Sequence, residues 1–82
     1  MTHGGSNDAM DALALERLTR AMGPIDGPTT RRVVLSELGF DAIQSPSQLL
    51  LFAERLIHRG GVFEAVGRGL KVTALLRGAT TA

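Results

Sequence analysis

The chain has 82 residues and contains no cysteine, no tryptophan and no tyrosine. Without cysteine it can form neither a disulfide framework nor a thiolate metal site, so a domain this small must be held by packing alone. That usage suits a reducing compartment, and a cytoplasmic location is expected. Histidine is nearly absent too, being limited to His3 and His58. A catalytic nucleophile needs a positioned base and a zinc ion needs several convergent ligands, and two distant histidines supply neither. No cofactor or metal and no enzymatic activity are therefore expected. Long apolar runs are also missing. A membrane-crossing helix needs roughly 20 apolar residues, whereas the longest uninterrupted run here is Leu49 to Ala53. Charge of one sign is scarce as well, since nine Lys and Arg against eight Asp and Glu leave a net charge of +1. That is too weak a field to draw nucleic acid. Residues 1–53 hold six acids and four bases and residues 54–82 two acids and five bases, a slight polarity that could align two copies head to tail.

What the chain does have is apolar residues at helical spacing, 44% of its composition. The Gly-rich, polar stretch 1–6 and the tail 78–82 are expected to be disordered, leaving 7–77 as a single helical domain. A first helix is expected from Asp8 to Met22, capped by Ser6 or Asn7 and stopped by Gly23-Pro24. Met10, Ala14, Leu15, Leu18, Ala21 and Met22 form its inner face, and Glu16 and Arg20 pair on the other. Asp8 and Asp11 sit in the first turn, where they suit the helix dipole. Leu13 falls between Arg17 and Arg20, an apolar residue on a polar surface.

Pro24 to Pro28 reads as a turn in which glycine relieves strain. A short helix follows over Thr29–Leu38, with Val34, Leu35 and Leu38 inward and Gly39 as its stop. Phe40 and Ile43 should plug the core from the connection, and Asp41–Gln44 could be a loop or a small fifth helix. Ser45-Pro46-Ser47-Gln48 is a start signal: serine caps, proline takes the first helical position, and Gln48 completes a capping box. The third helix then runs to Arg59 with Leu49, Leu50, Phe52, Ala53, Leu56 and Ile57 on its apolar face. Glu54, Arg55, His58 and Arg59 occupy the rest, and Leu51 lies among them.

Gly60-Gly61 breaks the helix, because glycine costs about 1 kcal/mol per residue inside one. A fourth helix is expected over Val62–Arg77, with a broad apolar arc (Val62, Phe63, Val66, Leu70, Val72, Ala74, Leu76) that implies a central position. Glu64, Arg68 and Lys71 make its polar strip, and Leu75 lies inside that strip. Ala65, Gly69 and Thr73 recur every four residues and leave a smooth groove, while Gly67 and Gly69 would give room to a crossing helix.

Other chemistries fit less well. Gly67-Arg68-Gly69 lacks the remaining glycines, the lysine and the strand of a phosphate loop. The second and third helices could form a small DNA-binding helix-turn-helix, but its recognition helix would open with Gln48, Leu49 and Leu50, residues suited to burial. Arg68, Lys71 and Arg77 beside an apolar face would make only a weak membrane anchor.

Two stretches resemble known families. Leu35 to Ile43 is similar to the region around the modified serine of acyl carrier proteins, with Ala42 where that serine would stand, so no prosthetic group can be attached there. The leucine-rich run with Ala53-Glu54-Arg55, the glycine turn and Phe63-Glu64-Ala65-Val66 resemble bacterial effector-associated and other death-fold-like adaptor domains. That resemblance implies a small helical bundle joining sensors to effectors through like-with-like contacts.

The expected fold is all-α, a compact bundle of four to five short helices. Its core should centre on Leu18, Leu35, Leu38, Phe40, Phe52, Leu56, Phe63, Val66 and Leu70. The expected function is a non-catalytic adaptor or oligomerisation module binding another helical domain, possibly a copy of itself. Leu13, Leu51 and Leu75 would form its apolar contact, and Glu54, Arg55, Arg59, Glu64, Arg68 and Lys71 would set orientation.

Overall fold

Four helices account for the fold in a computed structural model that describes the backbone of residues 5–79 and the side chains of residues 9–79. They are α1 (Gly5–Met22), α2 (Asp26–Leu38), α3 (Pro46–Arg59) and α4 (Gly61–Leu76), with no strand among the described residues. The chain is all-α, as its periodicity predicts. No described helix is long and apolar enough to cross a membrane. Two helical pairs, α1 with α2 and α3 with α4, pack on each other around one core.

Each helix end has a local cause. At the end of α1, Gly23 takes φ 101° and donates its N–H to the Thr19 carbonyl at 2.7 Å. The end of α2 is closed by left-handed Gly39, with the Phe40 N–H donating to Leu35 O at 2.9 Å. At the start of α3 the Ser45 hydroxyl accepts from the Gln48 N–H at 3.1 Å, above Pro46 in the first turn. Gln48 reaches back as a capping box would, but its Oε1 accepts from the Gln44 N–H at 2.7 Å, one residue further out than Ser45. Gly60 and Gly61 take φ 76° and 57° and fold α4 back along α3.

Several boundaries differ from the sequence reading. Helix α1 begins at Gly5, so Ser6 and Asn7 lie inside it and do not precede it. Residues 1–4 and 80–82 lie outside the described residues. Of the expected tail, Gly78 and Ala79 close α4: their N–H groups donate to Leu75 O at 3.1 Å and Ala74 O at 3.0 Å, and Ala79 packs on the core. No fifth helix forms over 41–45. That segment is a connection that buries Ile43 (1% exposed). Helix α2 starts three residues before Thr29, because the Gly27 N–H already donates to Gly23 O and the Thr29 N–H to Ile25 O.

Gly27 also has a role other than easing a turn. It is buried, and a Cβ built on it would lie 2.5 Å from the Thr19 Cα, so α1 and α2 cross backbone to backbone there. Gly67 does the same for the other pair, where a Cβ would lie 2.6 Å from the Ala53 carbonyl oxygen. Gly69, by contrast, has room.

The core is built from Met10, Ala14 and Leu18 of α1, Val34 and Leu35 of α2, five residues of α3 and Leu70 and Ala74 of α4, with Ile43 between helices. Phe52, Leu18, Ile43, Leu49 and Leu56 are its largest fully buried side chains. Leu38, Phe40, Phe63 and Val66 pack against it from partly buried positions. Ala21, expected inside, is exposed. Helix α4 is not central. It packs mainly on α3 and touches α1 along one edge, so only Gly67, Leu70 and Ala74 are buried, with Phe63 and Val66 partly covered beside them. Val62, Val72 and Leu76 of its expected apolar arc are exposed.

Asp11 holds three elements together. Its carboxylate accepts from Arg31 Nη2 at 2.6 Å and Nε at 3.3 Å, and Oδ1 also accepts the Ile43 N–H at 3.1 Å. Both side chains of the pair are less than a quarter exposed. The residue is thus a brace between α1, α2 and the 40–45 connection, beyond any effect on the dipole of α1. Asp11→Ala should cost about 2 kcal/mol, since it leaves a charged donor and a backbone N–H unpaired in a part-buried place. Asp11→Asn, which keeps an acceptor for Ile43, should cost about half as much. Urea unfolding of the two variants checks the order, and equal losses would show that the Ile43 bond contributes nothing.

Candidate interaction surface

The α3–α4 hairpin presents most of the residues that the sequence marks for contact. Gly67 of α4 packs on Ala53 and Ile57 of α3, and Lys71 Nζ reaches Glu54 Oε2 at 3.6 Å. With the hinge at Gly60-Gly61, these contacts make the two helices antiparallel. Leu51 lies a turn before Glu54 and Leu75 a turn after Lys71, so both stand beyond the same bridge. They are 46% and 42% exposed, too open for core residues.

Leu51 points directly away from the buried face of α3. It lines an open cleft of about 390 Å³ with Leu38, Glu54, Arg55 and His58. Leu38 closes the apolar floor from the end of α2. On its α2 side the cleft is framed by Glu37, which accepts from Arg59 Nη2 at 2.8 Å and lies 4.0 Å from Arg55 Nη1. On its α4 side it is framed by the Glu54–Lys71 bridge. His58 turns its Nδ1 to the Glu54 carbonyl at 3.0 Å. Arg59 also lies over the Phe63 ring, 5.8 Å from its centroid. On α4, Arg68 donates to Glu64 one turn earlier.

The charged residues expected to set a partner's orientation are thus already paired within the subunit. Each such exposed bridge contributes about 0–1 kcal/mol, so their main effect is to fix long side chains around the apolar patch. Sequence spacing gave the i,i+4 pair Glu16–Arg20 on α1, which forms at 3.2 Å, but not the pairs between helices, because partners 17 and 22 residues apart meet only after folding. Glu37, which holds two arginines, was not among the expected contact residues.

Leu13 requires correction. It is half-buried and packs on the core. Helix α1 has neighbours on more than one side, α2 together with α3 and α4, so its buried arc is wider than a single stripe and takes in this residue.

No family model, no curated protein and no solved structure matches this chain.

Proposed function

We propose that this chain is a non-catalytic helical interaction module that binds another helical domain, foremost a second copy of itself. The observation that carries the reading is the exposure of Leu51 and Leu75 together on the α3–α4 hairpin, within a frame of internally paired charges. An apolar centre with a polar rim is the anatomy of a protein contact. Internal pairing favours it further, because covering the patch strands no lone charge. The resemblance to death-fold-like adaptor domains points the same way. The helix-turn-helix alternative has less support, since Arg55 and Arg59 are held by Glu37 and Gln48 is used in the α3 cap.

Light scattering over a concentration series tests the reading. Mass should rise with concentration, and Leu51→Asp or Leu75→Asp should weaken association at least tenfold, roughly 1.4 kcal/mol. Each leucine is already about half in water, so helicity should hold and stability should fall by less than about 1 kcal/mol. A single mass at every concentration, with no helical domain bound, defeats the proposal. Unfolding of both variants would instead assign these leucines to the core.

A further inference from the structure

Ile25 is the residue that the lone subunit gives least reason to keep. It stands at the N-cap of α2, makes no side-chain cap bond and is 78% exposed. Serine, threonine, aspartate and asparagine stabilise a helix start, and isoleucine is among the poorest choices there. The side chain therefore weakens the local structure and buries nothing within its own chain. The turn that carries it is nonetheless firmly built. Pro24 precedes it, the Gly23 N–H donates to Thr19 O at 2.7 Å and the Gly27 N–H to Gly23 O at 3.0 Å. The Ile25 carbonyl accepts the N–H of Thr29 at 3.2 Å and its hydroxyl at 2.9 Å. An apolar knob is thus presented on a fixed backbone, and a contact through it orders little that is not ordered already.

We infer that this knob enters the Leu51 cleft of a second copy, so that copies join head to tail. The inference rests on the reading of the chain as a self-associating module and names both halves of the contact. The cleft, about 390 Å³ with Leu38 and Leu51 as its apolar lining, is larger than one aliphatic side chain and takes Ile25 with exposed Pro24 beside it. Charge agrees with this occupant. Around the cleft stand Arg55, Arg59 and Lys71 against Glu37 and Glu54, three bases and two acids, with Glu37 shared by both arginines. Next to the knob, Asp26 is exposed and has no ion pair among the described residues. Docking brings that carboxylate to the arginine side and leaves the rim neutral.

The two halves lie at opposite ends of α2, Ile25 before its first turn and Leu38 at its last. With 13 residues in the helix, they are roughly 20 Å apart along its axis and about 140° apart around it. Ile25 shares the outer face of α2 with Thr29 and Val33, both exposed, whereas Leu38 is half-buried and turned to the cleft. No copy can therefore fill its own cleft. A two-fold pair sets one patch against the same patch, so it does not bring the knob of each copy to the cleft of the other. The contact is heterologous, and every copy added leaves one knob and one cleft open for the next.

Two variants that each lack one half of the contact test it. Ile25→Asp keeps the cleft and Leu51→Asp keeps the knob. In light scattering the unchanged chain should pass beyond two copies as concentration rises, and each variant alone should associate at least tenfold more weakly. Mixed in equal amounts, the two variants should form a particle of two chains and grow no further, because only one intact knob and one intact cleft can meet. Circular dichroism checks that both are folded. Ile25→Asp sets a favoured capping residue at the start of α2 and should be no less stable than the unchanged chain, and Ile25→Ser should weaken association in the same direction. An Ile25→Asp chain that associates as the unchanged chain does would overturn the inference, and the module reading stands if Leu51→Asp still weakens association. A mixture that stays monomeric where the unchanged chain associates overturns it as well, and so does an unchanged chain that stops at two copies, the mark of a two-fold pair. A chain that is monomeric throughout and binds no helical domain sinks both readings.

Discussion

Gly67→Ala is expected to destabilise the subunit by about 3 kcal/mol, while Gly69→Ala, two residues on, stabilises it. A methyl group at Gly67 would meet the Ala53 carbonyl oxygen at 2.6 Å, Ile57 Cγ1 at 2.9 Å and the Ile57 backbone nitrogen at 3.0 Å. Two of those atoms are backbone, so α3 and α4 must move apart and loosen the contact between Leu70 and its neighbours, an overpacking cost of about 1–3 kcal/mol. At Gly69 the new methyl meets only Arg17 Nη1 at 3.5 Å, an ordinary contact with a flexible side-chain end. Removing glycine from a helix interior then contributes about 0.5–1 kcal/mol of stability. For a domain of this size each kcal/mol moves the melting temperature by about 4–8 °C. Thermal unfolding in dilute solution, where the subunit is alone, should show the two variants shifted in opposite directions. Shifts of the same sign would mean that the helices do not cross at Gly67.

The second large effect is expected at Gly27→Ala, also about 3 kcal/mol. There the added carbon would meet the Thr19 Cα at 2.5 Å, the Thr19 nitrogen at 2.6 Å and the Leu18 carbonyl carbon at 2.9 Å. All three atoms belong to the backbone of α1, and no side chain can swing aside. Relief requires α1 and α2 to separate where Leu18 is fully buried, and a small domain starts from only roughly 5–15 kcal/mol. Urea unfolding should show a lower midpoint with an unchanged slope, the mark of lost stability in an otherwise similar fold. An unaffected midpoint would place the α1–α2 crossing elsewhere.

These two glycines show where reading a sequence stops. Gly23, Gly39 and Gly60-Gly61 are legible as helix ends, because the conformation they permit is a property of the residue and its immediate neighbours. The same holds for Ser45-Pro46, whose hydroxyl and ring act on amides within one turn. Gly27, four residues before the arginine that joins Asp11, and Gly67, in the middle of a helix, are required by a partner backbone distant in sequence. Asp11 behaves alike: beside Met10 and Ala14 it reads as a first-turn acid, and only packing brings Arg31 and the Ile43 amide to it. On the candidate surface, Leu51 and Leu75 were legible as apolar residues among charges. Glu37 was not, since its two arginines come from another helix.

By itself the sequence determined the all-α class, the four main helices with most of their ends, and most of the inner faces of α1 to α3, because capping chemistry and the 3.6-residue period act over one or two turns. Only the tertiary structure decided that Leu13 packs on the core, that Val62, Val72 and Leu76 stay outside it, and that the charged residues pair within the subunit. An apolar arc on a helix gives the direction of possible burial, but the number and placement of neighbours decide how much of the arc is covered. Helix α4 has α3 on one side and an edge of α1 on another, so much of its apolar surface is left facing outward.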